Sequence, residues 1–271
     1  MSNITIVTNV LNSYFPEPHA ALINGILVGQ DLSKSLDFYE QTKRVGLLHL
    51  VVLSGVNISL LGAMIQIICR PLGNKGATLL TIVGIVTFVL FVGADPPVTR
   101  AAIMGGITLV GSLLGRKTYT LYVLATSVIM VAIFKTEWLT SVSFQLSAGA
   151  TLGIILFGNA TIKEARSRLH TLKNYLWVEL KPSFAAQLFT VPIIFWNFKE
   201  LSLIAPFSNL VVSFAIAPIM ICGFVTAFLG FIHHILGLPS ALICYGLLEY
   251  VVTAIRILAA VPGMYLTFHG T

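Results

Sequence analysis

The sequence predicts an all-α fold, a polytopic helical bundle in a membrane with interfacial amphipathic helices. Only 10% of the residues are charged and the mean hydropathy is +0.92, whereas a soluble globular domain has about 25% charged residues. Several apolar runs approach the roughly 20 residues with which a helix crosses a bilayer. These runs are spread along nearly the whole chain, so we expect one membrane domain and no soluble block of domain size.

The predicted spans are the apolar runs that lie between polar or glycine- and proline-containing segments. There are about eight of them: 46–69, 77–93, 98–114, 118–134, 141–157, 183–198, 203–231 and 239–260. The seventh contains Pro206 and Pro218, each of which removes a backbone donor. Two interpretations stay open for it, a kinked helix that crosses once and two shorter pieces around a re-entrant loop.

Two polar stretches are predicted to be amphipathic helices at the membrane surface. Residues 31–46 place Asp31 as a helix cap and Leu32, Leu36 and Tyr39 on one face. Residues 159–181 form a basic interfacial helix, for which anionic lipids are the expected partner. Nucleic-acid phosphates or a partner protein are the alternatives. We therefore divide the chain into an N-terminal segment with a surface helix (1–45), a transmembrane domain (46–261) and a C-terminal tail (262–271).

The basic residues of the loops predict the orientation. With eight spans, one side receives the larger set, which the positive-inside rule places in the cytoplasm. Both termini are then outside the cytoplasm. The larger set is Arg70, Lys75, Arg116, Lys117, Lys163, Arg166, Arg168, Lys173 and Lys181, against Lys34, Lys43, Arg44, Lys135 and Lys199 on the other side.

The first predicted span carries an unusual cluster of polar and small residues. "GLLHLVVLSGVNISLL", residues 46–61, contains His49, Ser54, Gly55 and Asn57. Polar side chains are costly in lipid unless they face protein or water, so such a cluster indicates a functional site. The alternative is helix packing, for which small and hydrogen-bonding residues are also used.

An ordered set of motifs resembles the ComEC competence family, inner-membrane proteins associated with DNA uptake during natural transformation. "GLLHLVVLSG" is similar to that family's signature, and further similar segments follow in order over roughly residues 18–260. They are "PPVTRAAIM" at 96–104, "LLGR" at 113–116, "SFQLSAGATLGI" at 143–154, "SFAAQLFTVPIIFWNF" at 183–198 and "APFSNLVV" at 205–212. One departure is Asn57, where the family often has a second histidine. An amide cannot carry a proton near neutral pH, which weakens any proton relay between the two positions.

The resemblance implies a bacterial inner-membrane channel that imports single-stranded DNA. Family members commonly add an N-terminal soluble domain and a C-terminal metallo-β-lactamase-like domain. These residues contain neither that second domain's zinc signature nor a Walker-type nucleotide loop. We therefore expect no enzymatic activity and no cofactor or metal. A separate nuclease, a DNA receptor and an ATPase motor are expected partners, and a homo-oligomer is an open alternative.

Eight residues are the candidates for lining the DNA path. Arg100 matches a phosphate with two parallel hydrogen bonds, although snorkelling to the interface or pairing with Asp95 would also explain it. The uncharged amides could bond between helices instead. The eight are His49, Ser54, Gly55, Asn57, Arg100, Gln145, Gln187 and Asn209. Two other functions stay open, a small-solute transporter derived from the same fold and a non-conducting membrane scaffold.

Overall fold

The protein is a helical bundle with one small sheet, which confirms the all-α prediction. The computed structural model describes residues 3–30, 32, 35–51, 54–158, 168–263 and 265–267, with the backbone alone for 168–176 and 179. The helices are α1 (Asn3–Asn12), α2 (His19–Val28), α3 (Leu36–Arg44), α4 (Leu48–Val51), α5 (Gly55–Ile68), α6 (Gly73–Val92), α7 (Pro96–Leu113), α8 (Thr120–Phe134), α9 (Val142–Phe157), α10 (Arg168–Phe198), α11 (Ala205–Ile232) and α12 (His234–Ala259). Short 3₁₀ helices occupy Arg70–Leu72 and Thr136–Thr140, and strands β1 (Glu200–Ser202) and β2 (Tyr265–Thr267) complete the described elements.

Four segments are long and apolar enough to cross a membrane, the first of which includes residues 52 and 53 outside the described ones. They are Leu48–Ile68, Arg70–Val92, Ala205–Ile232 and His234–Ala259. Helices α8 and α9 are apolar but shorter, at 15 and 16 residues. The number of crossings, predicted to be about eight, stays a prediction.

The main hydrophobic core lies where α1 and α2 pack against α11 and α12. Every residue of α2 is buried. A helix that is apolar all round belongs inside a protein, but the ten residues of α2 are too few to cross a bilayer. Our search for spans therefore missed this helix. The predicted boundary after residue 45 stays a prediction, although α1 and α2 contribute to the same core as the later helices.

Three predicted elements differ from the structure in their boundaries. Within the predicted span 46–69, Ser54 is extended (φ −119°, ψ 171°) and α5 begins at Gly55, although Leu48–Ile68 as a whole is long and apolar enough to cross a membrane. The predicted span 183–198 is part of the longer helix α10, which runs through Pro182 and Pro192 and also includes the end of the predicted interfacial helix 159–181. The rest of that interfacial helix, and all of its basic side chains up to Lys173, lie outside the described residues.

The predicted apolar face of the N-terminal surface helix is confirmed at Leu32 and Tyr39, which contribute to the main core, but not at Leu36. Helix α3 begins at Leu36 and buries Phe38 and Thr42, while the Leu36 side chain is 73% exposed. The reason is that α3 packs against α12 through this other face. The cap residue predicted for it, Asp31, lies outside the described residues.

Helix α11 settles the open question about the seventh span in favour of one continuous helix. Pro206 lies in its first turn, where a missing N–H costs nothing, and Pro218 is accommodated inside the helix.

Helix α10 packs antiparallel to α9. Gly153 on α9 lies directly against the backbone of Ala185, and Gly149 one turn earlier faces Ile193. This close approach of two backbones requires a residue without a side chain.

The small sheet fastens the C-terminal residues to the end of α3. β1 and β2 pair antiparallel, with Leu201 opposite Leu266. The Lys43 ammonium donates to the Glu200 carboxylate at 2.9 Å. Burial opposes ionisation of Glu200, but the hydrogen bonds from Lys43 and Tyr265 outweigh it and hold the Glu200 pKa below its usual value. Gly46, at φ +74°, turns the chain here against Ala205.

Candidate functional site

The first turns of three helices, α5, α7 and α9, meet at one end of the bundle. A Cβ atom at Gly55, the first residue of α5, would lie 3.2 Å from the Cβ of Ala101 and 4.0 Å from a terminal nitrogen of Arg100 on α7. That same terminal nitrogen donates to the hydroxyl of Ser147 on α9 at 2.7 Å. We call Ser54, Gly55, Arg100 and Ser147 the arginine site.

Arg100 is a buried cation whose partners are all neutral. Its side chain is only 5% exposed. Nε and one terminal nitrogen donate to the Ser147 hydroxyl at 3.2 and 2.7 Å, and the other terminal nitrogen contacts the Met104 sulfur at 3.0 Å. The ion pairs among the described side chains, His19–Glu249 and Lys43–Glu200, do not include it. Arg100 is therefore not paired with Asp95, whereas snorkelling to the interface stays an open alternative.

The electrostatics of the arginine site favour an anion. The N-terminus of a helix carries about half a positive charge, because its first N–H groups have no partner within the helix. Helix α5 directs this end towards the guanidinium of Arg100, past a glycine that adds no side chain between them. Two positive groups thus converge in a buried place without a described carboxylate. A phosphate or similar anion between them would relieve the repulsion and gain charge-assisted hydrogen bonds.

Asn57 has a structural contact that the sequence did not reveal. Its side chain is 1% exposed and donates from Nδ2 to the backbone carbonyl of Ile26 at 3.0 Å. Ile26 lies in the last turn of α2, where carbonyl groups lack a donor within the helix. Asn57 therefore caps α2, and its Oδ1 accepts a longer bond of 3.4 Å from Ser54. Its place in the DNA path stays a prediction.

His49 and Gln145 lie near the same end of the bundle but do not join the arginine site. His49 is exposed on α4, which ends at Val51. Gln145 donates from Nε2 to the carbonyl of Leu139 at 3.2 Å. Gln145 and Ser147 are two positions apart on α9, hence about 200° around the helix, so only Ser147 faces Arg100.

The remaining two candidates lie on another pair of helices. Gln187 is half-buried on α10, and Asn209 is half-buried near the start of α11. The Oδ1 atom of Asn209 is buried without a hydrogen-bond partner among the described residues. Helices α10 and α11 pack against each other, so these two amides are separate from the arginine site.

Ser147 is the site residue that the sequence analysis missed. The signal was present, because Ser147 lies in the segment "SFQLSAGATLGI" that carries part of the family resemblance. Within the described ranges, no three His, Cys, Asp or Glu side chains converge as metal ligands would. The guanidinium of Arg100 can bind an anion through hydrogen bonds and charge.

Comparisons with known proteins agree with these motifs. The family model described as Competence protein matches residues 26–270. ComE operon protein 3 of Bacillus subtilis (strain 168) is 26% identical over 223 residues, which cover 80% of this chain and 28% of that protein. The chain therefore spans less than a third of the length of this relative. No solved structure matches the chain. Because the family model covers most of the sequence, the chain belongs to the ComEC competence protein family.

Proposed function

We propose that this chain is the membrane channel through which single-stranded DNA crosses the bacterial inner membrane during natural transformation. It conducts the strand and performs no catalysis. A separate nuclease, a DNA receptor and an ATPase motor would supply the other steps, and a homo-oligomer is compatible with this role. Anionic lipids would bind the basic stretch at 159–181.

The observation that carries the proposal is the buried, uncompensated charge of Arg100. A permanent cation without a carboxylate partner is expensive inside a membrane protein. The side chain is 5% exposed, and its bonds to Ser147 and Met104 satisfy its geometry without neutralising its charge. A DNA strand presents a row of phosphates, and each could replace the missing anion in turn. Because Ser147 is neutral, it orients the guanidinium but competes with a phosphate for the guanidinium less strongly than a carboxylate would.

The position of the arginine site fits the entry side of such a channel. Helices α5, α7 and α9 all begin there, and Arg100 lies four residues, about 6 Å, into α7. In the predicted orientation, with both termini outside the cytoplasm, the spans that contain these helices begin at the outer surface. A strand that arrives from outside would meet the convergent helix N-termini and Arg100 first. A positive electrostatic potential at the entrance of a channel raises the rate at which a polyanion binds there.

The test is replacement of Arg100 in the native gene, with Arg116→Gln as the matched control. Arg116 is exposed beyond the opposite end of α7. We expect Arg100→Gln to lower internalised labelled DNA at least about tenfold, the lower limit for losing a hydrogen bond to a charged group. DNA bound at the cell surface and the membrane abundance of the protein should remain normal. Arg100→Lys should give an intermediate uptake, because an ammonium cannot bond Ser147 and a phosphate in the fork geometry of arginine.

Normal uptake by Arg100→Gln at normal abundance would refute the role of the arginine site. A deletion strain that transforms normally would refute the whole assignment. If such a strain keeps DNA uptake but loses the flux of one nutrient, the small-solute transporter is supported instead. If changes on the surface abolish uptake while changes at Arg100 do not, the chain is a scaffold.

A further inference from the structure

A second charged site lies away from the arginine site, on the wall formed by α11 and α12. A cavity of about 480 Å³ opens there to the surface. Its lining is mainly apolar and comes from the C-terminal half of α12 together with Val211 of α11. Glu249 is the one acidic residue that lines it. Glu249 lies ten residues, about 15 Å, before the end of α12, and its half-exposed carboxylate faces the cavity.

Glu249 is bonded to a buried histidine of another helix. The Nε2 atom of His19, the first residue of α2, is 2.7 Å from Oε2 of Glu249. The His19 side chain is 6% exposed and that of Glu249 is 48% exposed. The other carboxylate oxygen accepts from the Thr253 hydroxyl at 3.2 Å. The imidazole stacks on the Tyr245 ring, with the ring centroids 4.7 Å apart. This pair therefore connects the open cavity to the interior of the bundle.

The far nitrogen of His19 has no partner among the described residues. Nδ1 is buried and makes no hydrogen bond there, although a buried polar atom of this kind is normally paired. An imidazole with one nitrogen on a carboxylate and the other in the interior can take a proton on either side.

Other ionisable groups lie on the helices around the pair. The helices that pack on α2 are α1, α4, α11 and α12, and α3 packs on α12 with Asp37, Tyr39, Glu40, Lys43 and Arg44. Helix α1 has no ionisable side chain, α4 has His49 and α11 has Cys222. Those of α12 and of the residues next to α2 are Tyr14, Glu17, His234, Cys244, Tyr245, Tyr250 and Arg256. Glu17 accepts a hydrogen bond from the backbone of Ala21, and Arg256 is exposed two turns beyond Glu249. No described cation other than His19 is bonded to Glu249.

We propose that His19 and Glu249 form a binding site for a single proton that exchanges with water in the α11–α12 cavity. With a neutral imidazole and an ionised carboxylate the pair has a charge of −1. One proton taken from water gives an imidazolium bonded to a carboxylate, and the charge becomes zero. The imidazolium then lies between the Glu249 carboxylate and the Tyr245 ring. Release of that proton leaves the charge on Glu249, at the cavity wall.

The experiment measures the protonation of His19 directly and needs no DNA. The full chain, labelled with ¹⁵N in its histidine rings, is reconstituted in lipid nanodiscs, and imidazole nitrogen spectra are recorded between about pH 5 and pH 9. The His19→Gln variant identifies the His19 signal. We expect Glu249→Gln to weaken proton binding at His19 at least about tenfold, because the amide accepts a hydrogen bond but supplies no charge. Thr253→Val is the matched control and should change proton binding at His19 much less.

Two results would overturn the proposal. The first is a His19 signal that does not change over this pH range in the wild type. The second is an identical titration in the wild type and in Glu249→Gln, which would make the contact a structural hydrogen bond only. If His19→Gln does not fold, infrared difference spectra of the wild type and Glu249→Gln replace it. A carboxylate stretching band that shifts with pH and is lost in Glu249→Gln supports the site, and the absence of this shift from the wild type contradicts it.

Discussion

Replacing Asn57 by leucine should separate a structural role from a place in the DNA path. The two side chains have the same number of heavy atoms in the same branched arrangement, so the change removes the amide, although leucine is the bulkier residue. The wild-type Nδ2 atom donates to the Ile26 carbonyl at 3.0 Å, and the residue is 1% exposed. Leucine leaves this carbonyl at the end of α2 without a donor, and its bulk prevents water from taking the place of the amide.

The expected loss of stability follows from the Ile26 carbonyl oxygen, which is left without a hydrogen-bond donor. A buried carbonyl that loses its only donor costs about 1–3 kcal/mol, so we expect a loss of about 2 kcal/mol in the free energy of unfolding. For a chain of this size that corresponds to a decrease of about 4–8 °C in Tm. Uptake should then fall in proportion to membrane abundance, because the change acts through folding.

The assay is thermal unfolding of the purified protein in detergent, combined with membrane abundance and internalised DNA in cells. Asn57→His is the informative comparison, because a ring N–H can still donate to the Ile26 carbonyl, and we expect it to recover most of the stability. Ser59→Ala is the matched control. Ser59 is exposed, and its hydroxyl bonds only to the Gly55 carbonyl of its own helix. An unchanged Tm in Asn57→Leu together with lost uptake would refute the capping role and place Asn57 in the path.

Three further predictions follow from close contacts and from the surface ion pair. Gly55→Leu should lower both Tm and uptake, because the leucine side chain would overlap Ala101, at a cost of about 1–3 kcal/mol. Gly55→Ala should keep normal abundance but reduce uptake. Normal uptake by Gly55→Leu would contradict the close contact between Gly55 and Ala101. Gly153→Val should lower Tm by separating α9 from the Ala185 backbone. Gly149→Ala, whose Cβ would lie 3.4 Å from Ile193, should be tolerated. Equal Tm values for the two variants would contradict the close approach of α9 and α10 at Gly153. Glu200→Gln should reduce stability by about 0.5–1 kcal/mol at neutral pH. Because the Glu200 pKa is lowered in the folded state, its contribution is complete above the unfolded value of about 4.3 and is lost as the pH falls below it. Denaturant midpoints at several pH values check this, and an equal acid dependence in both proteins would contradict it.

Much of the architecture was predictable because its cause is local. The low charge content and the long apolar runs predict membrane helices without any knowledge of their neighbours, since each run must satisfy its own backbone. The polar cluster of residues 46–61 and the arginine of "PPVTRAAIM" were found in the same way. The family followed from ordered motifs, which are also a property of the sequence.

The errors concern features whose cause is not local. Helix α2 is buried because α11 and α12 pack against it. Its ten apolar residues do not by themselves indicate which helices pack on it. The face that α3 buries depends on its contact with α12, so Phe38 is inside and Leu36 outside. Continuity of α10 through two prolines is likewise decided by packing against its neighbours, although proline alone would predict a break.

The sequence by itself determined the class of this protein, its family and the residue types available for binding DNA, because these depend on composition and on order along the chain. Only the tertiary structure decided which of those residues meet. Arg100, Ser147 and Gly55 are far apart in sequence and converge because three parallel helices begin at one end of the bundle. The same packing buries Asn57 against Ile26 and brings His19 to Glu249 across 230 positions. A buried polar group takes whichever partner the fold presents, and that choice is made by the packing of the helices.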